Sequence, residues 1–270
     1  HFSNRKDYNV LWRKELGQFS LKENNALKQF KEIHLRYPFG KSYLGREFFL
    51  EDSPWTVLET KVSQENFTNL KSTFSLLEKK FNLLWGREKS LLLQWQKGLN
   101  GKINEPLFIN PIVDILSVIF NTPPSKFKID VNLLFSSPSH TGGGANINNQ
   151  SISLEISRHP IQNLGHAAGL IWHETIHLCF QSQYFFPLVL KQFPGDKQKA
   201  DLINELVVRS LFPRGVLGIQ LLKSKPTNKL MGETDSAQTV TVLNLTKEYV
   251  SKRKSLDERY IRRIAEILKK

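Results

Sequence analysis

The chain of 270 residues contains a single cysteine, Cys179. An intramolecular disulfide is therefore excluded, and the residue reads as a small apolar core side chain, the usual setting of a free cysteine. No apolar run reaches the roughly 18 residues that a membrane-spanning helix requires, so no transmembrane segment is expected. Acidic residues are few beside basic ones, 25 Asp+Glu against 38 Lys+Arg, for a net charge of +13. Such an excess favours anionic partners. Yet no dense Lys/Arg block and no nucleic-acid-binding motif occurs, so nucleic acid is not the expected partner. The three glycines Gly142, Gly143 and Gly144 are not followed by Gly-Lys-Ser/Thr, which excludes a phosphate-binding P-loop. There is no internal repeat and no low-complexity segment. The first residue is His1 rather than Met, a hint that a leader was either cut away or left out but not a signal-peptide motif; the location is left open, with a lean to exported or extracytoplasmic.

What is present is the composition of a globular protein, with 40% apolar and 23% charged residues. Helix signals dominate the first 120 residues. Ser20-Leu21-Lys22-Glu23 is a capping box that opens a helix to about Arg36, and Ser53-Pro54 starts another with Pro at its first position. Phe67, Leu70, Phe74, Leu77, Phe81 and Leu84 alternate three and four apart, an apolar seam on a helix over 64–84. A second run over 87–98 follows Gly86, giving a helical hairpin or one bent helix. A further helix is expected from Pro111 to Phe120.

The texture changes after Pro124. Residues 126–133 alternate with period two, as do residues 152–156, and Gly-rich sequence lies between them. The expectation is two strands, antiparallel, with glycines that serve either as a turn or as a place where another backbone comes close. His159-Pro160 then opens a helix to about Gln181. Gly165 and Gly169, four apart, give that helix a flat side. Later helices are expected over 197–212, with Asp196 as N-cap, over 236–251, and over 256–270 from a capping box at Ser255. The last is basic and amphipathic, with Ile261, Ile264 and Leu268 turned to the body. The fold class is α+β, mostly helical, with residues 1–120 forming a helical N-terminal subdomain and residues 121–270 a second unit.

The densest chemistry lies in Trp172-His173-Glu174-Thr175-Ile176-His177. Two imidazoles four residues apart share one helix face and can close on one metal ion. Glu174 follows the first histidine and can serve as a general base toward an attacking water. A catalytic zinc site needs a third protein ligand. The continuation Gly-x-x-His of one zinc-enzyme type is absent after His177, which excludes that type. Glu205 lies in the apolar run Leu202-Ile203-Asn204-Glu205-Leu206-Val207-Val208, where a carboxylate needs a partner, and a metal would be one.

The motif at His173–His177 followed by a helix with Asn204-Glu205 resembles the gluzincin branch of the zincin metallopeptidases, over about residues 126–212. The resemblance implies a zincin-like core, made of a small strand layer plus the active-site helix, and one Zn2+ per chain. It implies His173, His177 and Glu205 as ligands and Glu174 as catalytic base. It also implies an edge strand around Gly143, Gly144, Ala145 and Asn146 that pairs with a peptide or protein substrate. The sequence departs from several members at Arg209, where they carry an acidic residue that holds a ligand histidine. Asp201, four positions before Glu205, is the candidate substitute; otherwise a backbone carbonyl must orient the imidazoles. Candidate oxyanion stabilisers are Tyr249, Tyr260 and His166. His34, His140 and His159 carry no motif. The function so read is a zinc metallohydrolase acting on amide bonds. The alternatives are an inactive zincin-fold binding protein and a basic nucleic-acid-binding protein.

Overall fold

A computed structural model describes residues 13–37, 53–123, 128–135, 143–146, 151–156, 164–232 and 234–269. Residues 1–12 of the mixed-character N-terminal arm expected over 1–18, His140, Gly142 and the helix start at His159-Pro160 lie outside these. Among the described residues the fold is mostly helical with one small sheet. In order it forms α1 (Leu21–Leu35), α2 (Pro54–Lys61), α3 (Gln64–Ile103) and α4 (Pro106–Ile119). Then come β1 (Asp130–Phe135), β2 (Gly143–Asn146), β3 (Ser151–Ile156) and α5 (Leu164–Thr175). α5 runs directly into a π-helical segment (Ile176–Phe185) and then α6 (Phe186–Gln192). α7 (Lys197–Leu211), α8 (Val216–Leu222), α9 (Ser236–Ser251) and α10 (Glu258–Ile267) complete the described elements.

Local chemistry accounts for most helix starts. Ser20 Oγ accepts from the Glu23 N–H while Glu23 reaches back to the Ser20 N–H, the reciprocal pairing of a capping box. Asp196 and Asp235 cap α7 and α9 through their side chains. The expected cap of α10 at Ser255 gives way to Asp257, whose carboxylate accepts from the Tyr260 N–H. Tertiary contact explains the shift: the Leu256 N–H bonds the Ile119 carbonyl at 2.7 Å, so Leu256 is held outside the helix. The choice between a hairpin and a bent helix over 64–98 resolves as one helix of 40 residues with Gly86 inside it. Its seam is buried at Phe67 and Leu70, whereas Phe74 is 36% and Phe81 60% exposed. Those rings border an apolar groove of about 630 Å³ that Leu27, Phe30 and Trp55 help to line. α4 begins five residues before the expected Pro111, because Pro106 already supplies the first position. α8 has no sequence forecast; its seven residues carry no periodic pattern long enough to read.

The sheet corrects one expectation. β1 pairs parallel with β3, and β2 pairs antiparallel with β3, in the order β1-β3-β2. Alternation marks a strand but not its direction. β2 pairs antiparallel along one side of β3, which leaves β1 the other side, and the extra strand between them in sequence lets β1 and β3 run in the same direction. Ile152, Leu154 and Ile156 of β3 are fully buried, with Ser153 and Glu155 on the exposed face. β3 and β2 both pack beside α5.

The main core draws on Trp95, Leu99, Ile112 and Leu116 as well as on β3 and α5 to α10, so apolar packing runs across residue 120. A second, small cluster of Ile33, Leu58, Phe67 and Leu70 joins α1, α2 and the start of α3. The flat side of α5 is used in full. A Cβ on Gly165 would lie 2.4 Å from the Leu222 carbonyl oxygen, and one on Gly169 would lie 2.8 Å from Pro213 Cα. The turn after α7 therefore presses on the motif helix at van der Waals distance.

Gly169→Ala is accordingly expected to lower stability by about 1–3 kcal/mol, the usual cost of overpacking a close contact. Gly86→Ala, on an exposed part of α3 with nothing within 4 Å, is expected to raise it by about 0.5–1 kcal/mol. Urea denaturation of the two variants beside the native chain checks both signs.

Candidate metal centre

The end of α5 and the π-helical segment that continues it deliver His173 and His177 one turn apart, and the rings meet edge to face with centroids 4.9 Å apart. His177 is the second residue of the π-helical segment. Widened turns of this kind recur at functional sites. Here the segment ends two residues before Pro187, whose missing N–H and bulky ring cannot continue an undistorted helix. Neighbours bond to the irregular segment: Thr122 Oγ1 donates to the Phe180 carbonyl at 3.1 Å. Gln181 Nε2 donates to the Asn204 carbonyl of α7 at 3.3 Å, and Gln181 is only 2% exposed. That bond ties the histidine-bearing helix to the glutamate-bearing one.

Three side chains converge. His177 Nε2 lies 3.3 Å from His173 Nε2 and 3.2 Å from Glu205 Oε2, and His173 Nε2 lies 3.5 Å from Glu205 Oε1. One donor atom from each falls within 4.8 Å of the others, a spacing that could hold one metal ion. His173 is buried, while His177 and Glu205 are partly exposed, so the cluster opens to solvent on one side. Burial alone would raise the Glu205 carboxyl. Hydrogen bonds from His173 and His177, the charge of His173 and the Arg209 guanidinium outweigh it and hold the group well below the usual carboxylate range.

Whether a metal suits this cluster is decided by the far side of His173. Its Nδ1 faces the Phe212 carbonyl at 3.3 Å. A carbonyl only accepts, so this contact places a ring proton on Nδ1, and in the neutral form of the ring that a metal would need, the Nε2 lone pair faces the cluster. A lone pair, a second imidazole nitrogen and a carboxylate then meet at one point, the N,N,O donor set that zinc takes. The residues fit the ion. Phe212 is the functional residue that sequence reasoning missed. Its ring is fully buried and stacks on Trp172 at 6.3 Å, which fixes the carbonyl. The only sequence signal was Pro213, which marks a helix end but not the direction of the preceding carbonyl.

The other candidates fall in different places. Glu174 sits beside His173 on α5 and is 9% exposed. Asp201 is exposed and bonds neither imidazole; the orienting role expected of it belongs, for His173, to the Phe212 carbonyl. Tyr249 and Tyr260 pack ring against ring at 4.8 Å in the core. The Tyr260 hydroxyl is bonded to Thr246 Oγ1 at 2.7 Å, and burial pushes its pKa up to about 12. Neither tyrosine is placed as an exposed oxyanion donor. His166 lies two turns before His173, half-buried, with a buried Nδ1 that has no hydrogen-bond partner. Gly143, Gly144, Ala145 and Asn146 form β2, at the edge of the sheet next to α5. Cys179 is partly buried, which pushes its thiol up to about 11 and makes it unreactive.

Comparison of the chain with protein-family models, curated proteins and solved structures finds no match.

His166 supplies a test of this environment. Burial, and second the charge of Arg214, push its pKa from 6.5 down to about 4. The unfolded chain takes up this proton first as pH falls, so the stability that neutral His166 gives is complete above 6.5 and lost progressively toward 4. His166→Asn should therefore lose less stability than the native chain between about pH 7 and pH 4.5, measured as urea midpoints. Parallel losses would show that His166 titrates normally.

Proposed function

We propose that this protein is a zinc-dependent metallohydrolase, a peptidase in its substrate class. The observation that carries the reading is the convergence of His173 Nε2, His177 Nε2 and the Glu205 carboxylate, with the His173 lone pair directed inward by the Phe212 carbonyl. His173, His177 and Glu205 would hold the ion. When bound, zinc supplies Lewis acidity that polarises a carbonyl and makes water acidic near neutral pH. Glu174, adjacent in sequence to the first ligand, accepts the proton of the attacking water and passes it to the leaving amine. β2 supports a peptide as substrate. Among the described residues it is one of the two edge strands of the sheet, the one packed beside the motif helix, and an extended peptide can add to such an edge by main-chain hydrogen bonds. Gly143 and Gly144 let a second backbone approach closely.

An inactive binding relative would share this geometry and is separated from an enzyme by one substitution. Glu174→Gln is expected to retain zinc and to lose about 10²- to 10⁴-fold in peptide hydrolysis, the usual contribution of a general base. Elemental analysis should find one zinc per chain, lost in His173→Ala/His177→Ala. Zinc should also be released as pH falls, because the imidazoles and the carboxylate bind only when deprotonated. A folded chain that takes up no zinc when it is supplied would refute the reading. Retained zinc with no hydrolysis of a peptide library by the native chain would favour the binding protein.

A further inference from the structure

We propose that Arg209 is a positioning residue of the metal centre: it pins one oxygen of Glu205 so that the other is presented to the ion. The inference rests on the zinc reading of the cluster. A glutamate carboxylate turns easily about its last torsion and can offer one oxygen or two. In this site the two oxygens are not equivalent. Arg209 Nε donates to Oε1 at 2.6 Å, and Oε1 lies 3.5 Å from His173 Nε2, whereas Oε2 has no bond to the guanidinium and lies closer to an imidazole, 3.2 Å from His177 Nε2. The arginine is itself held, since its Nη1 donates to the Leu230 carbonyl at 3.2 Å. Leu230 is held in turn, because its N–H donates to Thr239 Oγ1 at 3.2 Å, and Thr239 is fully buried in α9. A relay of hydrogen bonds thus runs from the first turn of α9 through Leu230 and Arg209 to the third ligand. Arg209 sits one turn after Glu205 on α7, so the pair is also favoured by helix geometry.

Two effects of Arg209 oppose each other. Its charge, beside a ligand carboxylate, disfavours a cation. Its bonds fix the ligand's orientation before the ion arrives. A guanidinium that grips both Glu205 and a backbone carbonyl is built for orientation, since a charge alone needs no second anchor. Alignment is therefore the larger effect. Held in this way, Glu205 would offer a bound ion one oxygen rather than two.

The sign of the change in zinc affinity decides. By competition with a chromophoric chelator, Arg209→Ala should bind zinc about 10- to 100-fold more weakly than the native chain, the usual effect of losing a hydrogen-bond partner of a ligand. Arg209→Lys, which keeps the charge but not the two-armed grip, should recover only part of the loss. The thermal midpoint of the metal-free chain should change little, because the Arg209 side chain is 45% exposed. Arg209→Met keeps the aliphatic stem and serves the same test if the alanine variant is unstable. Unchanged or tighter zinc binding in Arg209→Ala or Arg209→Met, with loss in Glu205→Ala, would overturn this proposal and leave the metal site standing. A folded native chain that binds no zinc would overturn both.

Discussion

The centre depends on how closely the turn at Phe212 and Pro213 lies against α5. Contact at this distance is possible only because Gly169 carries no side chain there. The turn places the Phe212 carbonyl on His173 Nδ1, and that contact sets which nitrogen of the ring faces inward. The same turn ends α7, the helix that carries Glu205. One packing contact therefore fixes the orientation of His173 and anchors the helix that carries Glu205. The geometry of the cluster follows from backbone proximity more than from any pairing among its own side chains.

The remaining freedom is removed by polar links between helices that are otherwise apolar. Gln181 joins the π-helical segment to α7, and Thr122 joins the same segment to the end of α4. On the far side of α7, Ser210, Thr246 and Tyr260 form a buried chain of hydroxyls that fastens α9 and α10. Buried polar groups that are satisfied in this way specify one arrangement among many that apolar contact would permit. They also explain why Tyr260, plausible on paper as an oxyanion donor, works instead as a core fastener.

Much of this was legible beforehand for identifiable reasons. Caps and prolines act over three or four residues, so the starts of α1, α2, α7 and α9 follow from local chemistry. Four-residue spacing on a helix face brings His173 and His177 together wherever that helix sits. A carboxylate in an apolar run signalled a partner for Glu205, and the partners are the two imidazoles and Arg209. Where reading failed, a distant contact decided. Leu256 is drawn to the Ile119 carbonyl and moves a helix start, and strand direction in the sheet depends on which neighbour claims each edge of β3.

The sequence by itself determined the mostly helical class, the pair of histidines with Glu174 between them, and the flat side of α5. Each is a property of residues within one or two helical turns, where backbone geometry leaves little choice. Only the tertiary structure decided that Glu205 reaches the histidines, that Phe212 rather than Asp201 orients His173, and that Arg209 grips Glu205. Those relations join atoms far apart along the chain. Their distances are set by the packing of α5 against α7 and the turn between α7 and α8, which no local pattern encodes.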